Sequence, residues 1–440
     1  MLAALAIALS GSVGMAATPD ERVTAYQDFR GAFDKGDYKL ALPAAARVLE
    51  MTRSQFGTET PEVANALTNL ATTYYRMHQY GEALDHYRNA ITLLELQNQP
   101  TDTRLVRPLQ GLGSTLLAMQ REDEALVPLK RAIDIVRNHD GLHAESQLPV
   151  LRTLIVAYEA TDRLADAGRE HDYAFAVAEQ AYGRNDPRML GPLDDLAHWH
   201  EKSSHYTAAR ALYERAVQVA DAGKPNGIQA VPGLRGIARC LRLAYVFGET
   251  EASVASLAQA FPQLATGNSM EAISLPSSDG ERDLRSALQR LGNAPAQAAL
   301  RGAVLVDLGD WYLTANKASL ALSSWREGWK ELVAAGDTSL LDQPALLYYH
   351  APGIAVSRHQ KDPNAYSEQR VDIRLAFEAN GKVRDASVAN PAPEREAAEK
   401  SVMSAARQAT WRPAFRNGSP SAVDDYVFHE MIYVKLPAPN

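Results

Sequence analysis

The chain has 440 residues, of which 46% are hydrophobic and 22% charged, and its formal net charge at pH 7 is -8. This balance is typical of folded globular domains and argues against a largely disordered chain. The acidic excess and the lack of a Lys/Arg run disfavour nucleic acid and, on average, an anionic membrane surface as partners. The single cysteine, Cys240, excludes an intramolecular disulfide and a zinc site built on several cysteines.

The N-terminal segment has the pattern of an export signal. Residues 2–9 form an apolar run, and small residues at Gly14 and Ala16 fit the -3 and -1 positions of a signal-peptidase site. We therefore expect residues 1–16 to be a signal peptide and the mature protein to be periplasmic, in a Gram-negative cell. No Lys or Arg precedes the run, so one alternative is a start upstream of Met1 that anchors the chain. A buried N-terminal helix is the other alternative.

The next 300 residues carry an internal repeat. Around Ala83, apolar residues at helical spacing before and after Gln79-Tyr80-Gly81 predict two helices joined by a turn. A fixed period of this size is typical of stacked helical hairpins, whose closest crossings need Ala or Gly. We expect six or seven hairpins over residues 20–335, with a degenerate pattern at 225–300. The alanines that set the 42-residue period are Ala41, Ala83, Ala125, Ala167 and Ala209.

This pattern resembles the tetratricopeptide repeat. The residues that carry the resemblance are Leu67, Leu70, Ala71 and Tyr74, followed by Ala83, Tyr87 and Ala90. The period exceeds the usual ~34 residues, and connections such as Phe56-Gly57-Thr58-Glu59-Thr60-Pro61 resemble the long repeats of the kinesin light chain type. The resemblance implies a right-handed α-solenoid and no motor function.

In this repeat family the first helix of each hairpin lines a groove that binds proteins or peptides. Polar side chains there can hydrogen-bond a peptide backbone or its carboxylate. The alternative is a merely solvated inner face, because polar exposed helix faces are common. The residues that the family register places on the groove are Asn65, Asn69, Arg76, Arg107, Gln110, Arg152, Asp195 and His198.

Residues 343–440 predict a small α+β domain in the order β-β-α-β. Apolar and polar residues alternate through 371–377, as in a half-buried strand, and Asn380-Gly381 favours a hairpin turn before a returning strand at 383–388. An apolar stripe predicts a helix that ends at Trp411-Arg412-Pro413-Ala414. A loop at 417–420 and a last strand at 426–434 follow. The stripe consists of Ala398, Val402, Ala405 and Ala409.

This ordered set resembles the TonB C-terminal domain, through Asn380-Gly381-Lys382-Val383, the Ala-rich helix, Trp411-Arg412-Pro413-Ala414 and Asn417-Gly418-Ser419-Pro420. The resemblance implies binding of envelope partners by strand addition to the last strand. The Pro-rich linker and spanning helix of the family's energy transducers are absent, so energy transduction is not inferred. The predicted edge consists of Tyr426, Val427, Phe428, His429, Glu430, Met431, Ile432, Tyr433 and Val434.

No residue set predicts catalysis. His198 and His200 would project about 200° apart on a helix, so they cannot share a metal ion, and His200 and Cys240 occupy predicted packing positions. We expect no enzyme activity, cofactor, metal or small-molecule substrate. The favoured function is a periplasmic scaffold that binds one protein on the groove and another by strand addition. The alternatives are a TonB-related accessory or energy transducer that contacts outer-membrane receptors, and an enzyme with a dispersed site.

Overall fold

The computed structural model of the protein describes residues 19–96, 100–247, 278–349 and 366–435. The predicted signal peptide lies outside these ranges. The described chain divides into two compact units, Met1–Arg184 and Asn185–Asn440, which are described separately as unit 1 and unit 2. The domain boundaries predicted from the sequence, at 20–335 and 343–440, stay predictions, because this division falls inside the helical repeats.

Unit 1 consists of helical hairpins in its described part. Consecutive helices pack against each other in pairs, and each pair packs against the next. Each hairpin therefore contributes one layer to the stack, as the sequence period predicts. The helices are α1 (Pro19–Asp34), α2 (Tyr38–Phe56), α3 (Pro61–Arg76), α4 (Tyr80–Glu95), α5 (Val106–Ala118), α6 (Glu122–Asp140), α7 (Leu148–Ala160) and α8 (Leu164–Tyr182).

The alanines of the 42-residue period lie on the second helix of each hairpin, which packs on the first. All five are completely buried. Two glycines in α5 show how tight these crossings are: a Cβ atom on Gly111 would lie 2.3 Å from the Tyr87 ring, and one on Gly113 would lie 2.5 Å from Leu129. The small residues are therefore a steric requirement of the hairpin stack, which confirms the predicted helical repeat architecture.

The turn within each hairpin has one residue in the left-handed backbone region. Gly36, His78, Gln120 and Asp162 are spaced 42 residues apart, and their φ angles are 76°, 59°, 57° and 54°. Ser204 continues the series in unit 2 with φ 63°. Only the first of these residues is a glycine, so the other turns hold a side chain in a conformation that L-residues disfavour.

Unit 2 begins with further helices and extends the repeat pattern. In the degenerate region, the helix Val231–Phe247 packs against the helix Ser278–Leu291. The sequence also predicts a further hairpin over 234–261, and its second half lies outside the described residues. The Ser-, Gly- and Pro-rich composition of 264–280 predicts a loop, which is wrong at its end because the chain is helical from Ser278. The helices are α9 (Leu190–Lys202), α10 (Tyr206–Gly223), α11 (Val231–Phe247), α12 (Ser278–Leu291), α13 (Ala298–Thr314) and α14 (Ala318–Ala335).

The C-terminal part of unit 2 is a small α+β module, defined here as residues 345–435. Its three-stranded antiparallel sheet consists of Val383–Val388, Tyr366–Phe377 and Val423–Lys435 in that spatial order, and the helix Glu396–Gln408 packs on one face of it. The predicted β-β-α-β order is thus confirmed. The elements are β1 (Ala345–Tyr348), β2 (Tyr366–Phe377), β3 (Val383–Val388), α15 (Glu396–Gln408), β4 (Thr410–Arg412), β5 (Ala414–Arg416), β6 (Ser419–Ser421) and β7 (Val423–Lys435).

Four short strands were not predicted from the sequence. The segment Trp411-Arg412-Pro413-Ala414 does more than end α15, because Thr410–Arg412 forms β4 and pairs with β1. The segment 417–420 is not simply a loop. Asn417 and Gly418 have φ angles of 50° and 75° and connect β5 to β6, as a two-residue hairpin turn requires.

Candidate functional site

Unit 1 presents the predicted groove residues on the first helices of its hairpins. Asn65 and Arg76 on α3, Arg107 on α5 and Arg152 on α7 are exposed, whereas Asn69 on α3 is partly buried. Arg107 Nη2 donates a hydrogen bond to Asn69 Oδ1 at 3.3 Å, so the structure brings these two predicted residues together. The first helices α3, α5 and α7 therefore carry guanidinium and amide groups at the predicted groove positions.

Gln110 ties α5 to α7. Its Nε2 donates to the carbonyl oxygen of Pro149 at 2.9 Å and to Thr153 Oγ1 at 3.3 Å. The predicted role of Gln110 in peptide binding therefore competes with an observed structural role, because its amide nitrogen bridges neighbouring first helices.

Three exposed apolar residues share this register and were not predicted as groove residues. Val23 on α1 precedes Asn65 by one period of 42 residues, and Tyr26 precedes Gln110 by two. Val156 on α7 is 54% exposed, and Val23 and Tyr26 are 46% and 41% exposed. The repeat register alone could have found them, and they add apolar contact points to a polar face.

Unit 2 carries the remaining two predicted groove residues on α9. Asp195 and His198 are both exposed. The His198 ring lies edge-on to the Tyr213 ring at 5.8 Å, and its Nδ1 lies 2.9 Å from the carbonyl oxygen of Asp194. Burial raises the pKa of the neighbouring Asp194 carboxyl above its usual range.

The residues considered for chemistry are placed differently. Cys240 is buried, as its packing position predicts, and His200 is half-buried with its ring 5.7 Å from the His205 ring. Within the described ranges, no group of three or more His, Cys, Asp or Glu could hold a metal ion. Nor does any described helix combine the length and apolar character needed to cross a bilayer.

The second candidate site is the outer edge of β7. This strand pairs with β2 on one side only, and no described strand lies on its other side. Phe428 and Ile432 are buried in the core of the module, while Val427 and His429 are exposed. Tyr433 and Val434 continue the pairing, opposite Glu368 and Ser367.

The backbone direction of this edge follows from β2. The carbonyl oxygen of Asp372 accepts a hydrogen bond from Ala389 N–H at 2.8 Å, so its peptide groups point away from β7. The opposite residue, His429, is therefore in a non-hydrogen-bonded pair and directs its own N–H and C=O to the open side. Val427, two residues away, has the same orientation, because backbone direction alternates along a strand.

Side chains beside this edge already contact one another, and Arg370 and Asp372 form an ion pair. His429 Nδ1 lies 2.7 Å from Asp372 Oδ1, and Arg370 Nε donates to the same oxygen at 2.7 Å. Hydrogen bonding, first from Arg370 and then from His429, lowers the pKa of the Asp372 carboxyl. Since these charges satisfy one another, the groups that β7 offers to a partner are mainly those of its backbone.

A comparison with protein-family models agrees with the helical hairpins of unit 1. Residues 31–96 match the tetratricopeptide repeat family model. A kinesin light chain structure with TPR-like repeats from Podosopora anserina shares 16% identity, covers 47% of this chain and 98% of its own, and gives a TM-score of 0.42. The apo form of RapI shares 13% identity, covers 72% of this chain and 99% of its own, and gives a TM-score of 0.44. Pseudomonas aeruginosa PilF shares 20% identity, covers 55% of this chain and 92% of its own, and gives a TM-score of 0.36. No curated protein matches the chain.

The hairpins and the match over residues 31–96 show that this part of the chain consists of tetratricopeptide-type repeats. Families built from such repeats are generally protein-binding scaffolds. A small domain that contains several strands follows these repeats.

Proposed function

We propose that the protein is a periplasmic interaction scaffold that binds one protein on the groove of its repeats and a second by strand addition to β7. The observation that carries the proposal is the coexistence of two kinds of binding surface in one chain. One is a helical face with exposed guanidinium groups, and the other is a sheet edge with outward backbone donors and acceptors. The periplasmic location rests on the sequence pattern of residues 1–16.

The groove partner is an extended peptide with a carboxylate. Arg107 and Arg152 are exposed on neighbouring first helices, where a guanidinium can bind a carboxylate through two hydrogen bonds. Asn65 supplies an exposed amide that suits a peptide backbone. Val156, one turn beyond Arg152, offers apolar contact to a peptide side chain.

The groove is tested by capture of proteins from periplasmic extract with the full chain. We expect Arg107→Ala combined with Arg152→Ala to lose a captured protein that the wild type retains. The control is Arg169→Ala, because Arg169 is also exposed but lies on a second helix, α8. Equal capture by the double variant and the wild type would contradict the groove assignment.

The β7 partner is an extended segment of an envelope protein, such as an outer-membrane receptor. The resemblance to the TonB C-terminal domain and the open edge support this proposal. Val427→Pro removes an N–H that points to the open side, and proline is tolerated in that position of an edge strand. Val427→Thr keeps the N–H and is the matched control.

We expect the proline variant to lose its second partner in the same capture experiment while the threonine variant keeps it. Retention of every captured protein by Val427→Pro would rule out strand addition at this edge. N-terminal sequencing of the mature protein tests the location separately, with a first residue near Ala17 expected. A mature protein that still begins at Met1 would contradict cleavage by signal peptidase.

A further inference from the structure

The last helical hairpin has a buried carboxylate at an inner-face position. Leu308-Gly309-Asp310, followed by Tyr312, matches Leu196-Ala197-His198, followed by His200, in the repeat register. Asp310 on α13 thus corresponds to His198, a predicted groove residue. His198 is exposed, whereas Asp310 is only 5% exposed. The two positions differ because the α+β module covers α13.

Arg412 of β4 makes the central contact between the module and α13. Its Nη1 donates to Asp310 Oδ2 at 2.8 Å, and its Nη2 donates to the carbonyl oxygen of Leu340 at 2.9 Å. Trp325 Nε1 on α14 donates to the other carboxylate oxygen of Asp310 at 3.0 Å. The Asp310 carboxylate is therefore shared between its own hairpin and the module.

A second arginine reaches the module from the helices. Arg242 on α11 is buried, and its Nη1 donates to the carbonyl oxygen of Leu347 in β1 at 3.2 Å. Because β1 pairs with β4, Arg242 and Asp310 hold two adjacent strands of the module from two different helices.

An apolar contact surrounds these polar groups. The Phe415 ring of β5 lies edge-on to the Trp325 ring at 6.3 Å. Leu341, Leu347 and Phe415 belong to one buried cluster together with residues of α11 to α14. The three-stranded sheet and α15 form a different cluster, centred on residues such as Ile373 and Val402. The module thus has a core of its own and a second apolar surface that packs on the helices.

We infer that the α+β module occupies the inner face of the last hairpin in the same chain, held there by the Arg412–Asp310 pair, and closes that part of the groove. A partner that binds the inner face of α13 must first displace Arg412. The open edge of β7 is unaffected, because β7 takes no part in this contact. The inference goes beyond the proposed function and does not depend on the identity of either partner.

Hydrogen exchange of the full chain tests this closure with Arg412→Ala. We expect exchange to rise at least tenfold in amides of α13 and in residues 338–348, while amides of β2 and β7 keep their protection. Lys400→Ala is the control, because Lys400 lies on α15 of the same module, is exposed, and pairs with Glu396 of its own helix. It should exchange as the wild type does.

Two outcomes would overturn the inference. Wild-type exchange in α13 and β1 of Arg412→Ala would show that the pair does not hold the module. Simultaneous loss of protection in β2 and β7 would show that hairpin and module unfold as one body and cannot separate. Should Arg412→Ala fail to fold, Asp310→Asn, which keeps the shape and an acceptor for Trp325, decides by the same criteria.

Discussion

Unit 1 and unit 2 hold their helices together by different means. In unit 1 the 42-residue period places small residues at each crossing, and the ion pair between α1 and α2, Arg47 with Asp28, is more than half exposed on both sides. In unit 2, where the period decays, several arginines that pair with carboxylates are nearly buried, and in the Arg412–Asp310 pair both side chains are. The side chains of Arg290, Arg301 and Arg412 are only 9%, 12% and 7% exposed.

The difference shows two ways to specify a stack of helices. Small residues in a fixed register define the crossings of identical units, so the same solution can be repeated. Unique contacts between non-identical elements need groups that match only one partner, and a buried ion pair does this because a wrong pairing leaves a desolvated charge. Unit 2 must join degenerate hairpins and a β module, which is where such pairs lie.

All five tryptophans lie in unit 2, so intrinsic tryptophan fluorescence follows unit 2 alone. The largest effect is expected for Asp310→Ala, which leaves Arg412 and Arg242 buried without their carboxylate. It should lower the free energy of unfolding of unit 2 by about 3–5 kcal/mol, measured by urea unfolding. Asp28→Ala in unit 1, followed by circular dichroism because unit 1 has no tryptophan, should cost less than about 1 kcal/mol. Equal effects of the two changes would remove the distinction between the units.

Ala83→Leu addresses the small-residue crossings of unit 1. A leucine at this completely buried position overpacks the contact between α3 and α4 and should cost about 1–3 kcal/mol. The melting temperature, followed by circular dichroism, should fall. Ala176→Leu, at an exposed position of α8, is the control, and an unchanged melting temperature of Ala83→Leu would count against the register.

The pH dependence of unit 2 tests its ion pairs. Hydrogen bonding from Arg290 lowers the pKa of the Asp221 carboxyl, so the pair stabilises the folded state above the unfolded pKa of about 4. This contribution is lost as the pH falls through the folded pKa. We expect Asp221→Asn to be less stable than the wild type at pH 7, by about 1 kcal/mol. The difference should vanish near pH 2, and a difference that persists there would mean that the ion pair is not its source.

The smallest effect concerns the turns of unit 1. Gln120 has φ 57°, and glycine adopts this conformation without the steric cost of a Cβ atom. Gln120→Gly should therefore stabilise unit 1 by up to about 1 kcal/mol, as a higher melting temperature. Gly36→Ala is the reciprocal change and should destabilise it. A lower melting temperature for Gln120→Gly would show that its side chain contributes more than its backbone conformation costs.

Much of the architecture could be predicted from the sequence because it rests on local periodicity. Ala41 to Ala209 reveal the hairpins, and the alternation through 371–377 reveals the central strand β2. Strand β4 could not be predicted, since its pairing with β1 joins segments more than 60 residues apart. The Asp310–Arg412 contact was hidden for the same reason, because nothing local in either motif indicates its distant counterpart.

The candidate site was likewise predictable where it depends on the repeat period, and not where it depends on contacts between distant residues. The register placed Arg107 and Asn69 on one face, and the structure brings them within hydrogen-bonding distance. It did not reveal that Gln110 bridges α5 and α7, since this bond depends on the rotation of a side chain. The direction of the β7 backbone also required a register that only the paired strands define.

The recurring left-handed turn residue makes one 42-residue hairpin the segment that can be inserted or removed. Gly36, His78, Gln120 and Asp162 occupy equivalent turns with unlike side chains, so a chain cut at one of these turns can be rejoined at another without changing the local backbone. Removal or duplication of 42 residues between two turns, such as 79–120, would shorten or lengthen the array by one whole hairpin. Gene duplication in steps of this size could therefore adjust the length of the array while each hairpin keeps its fold.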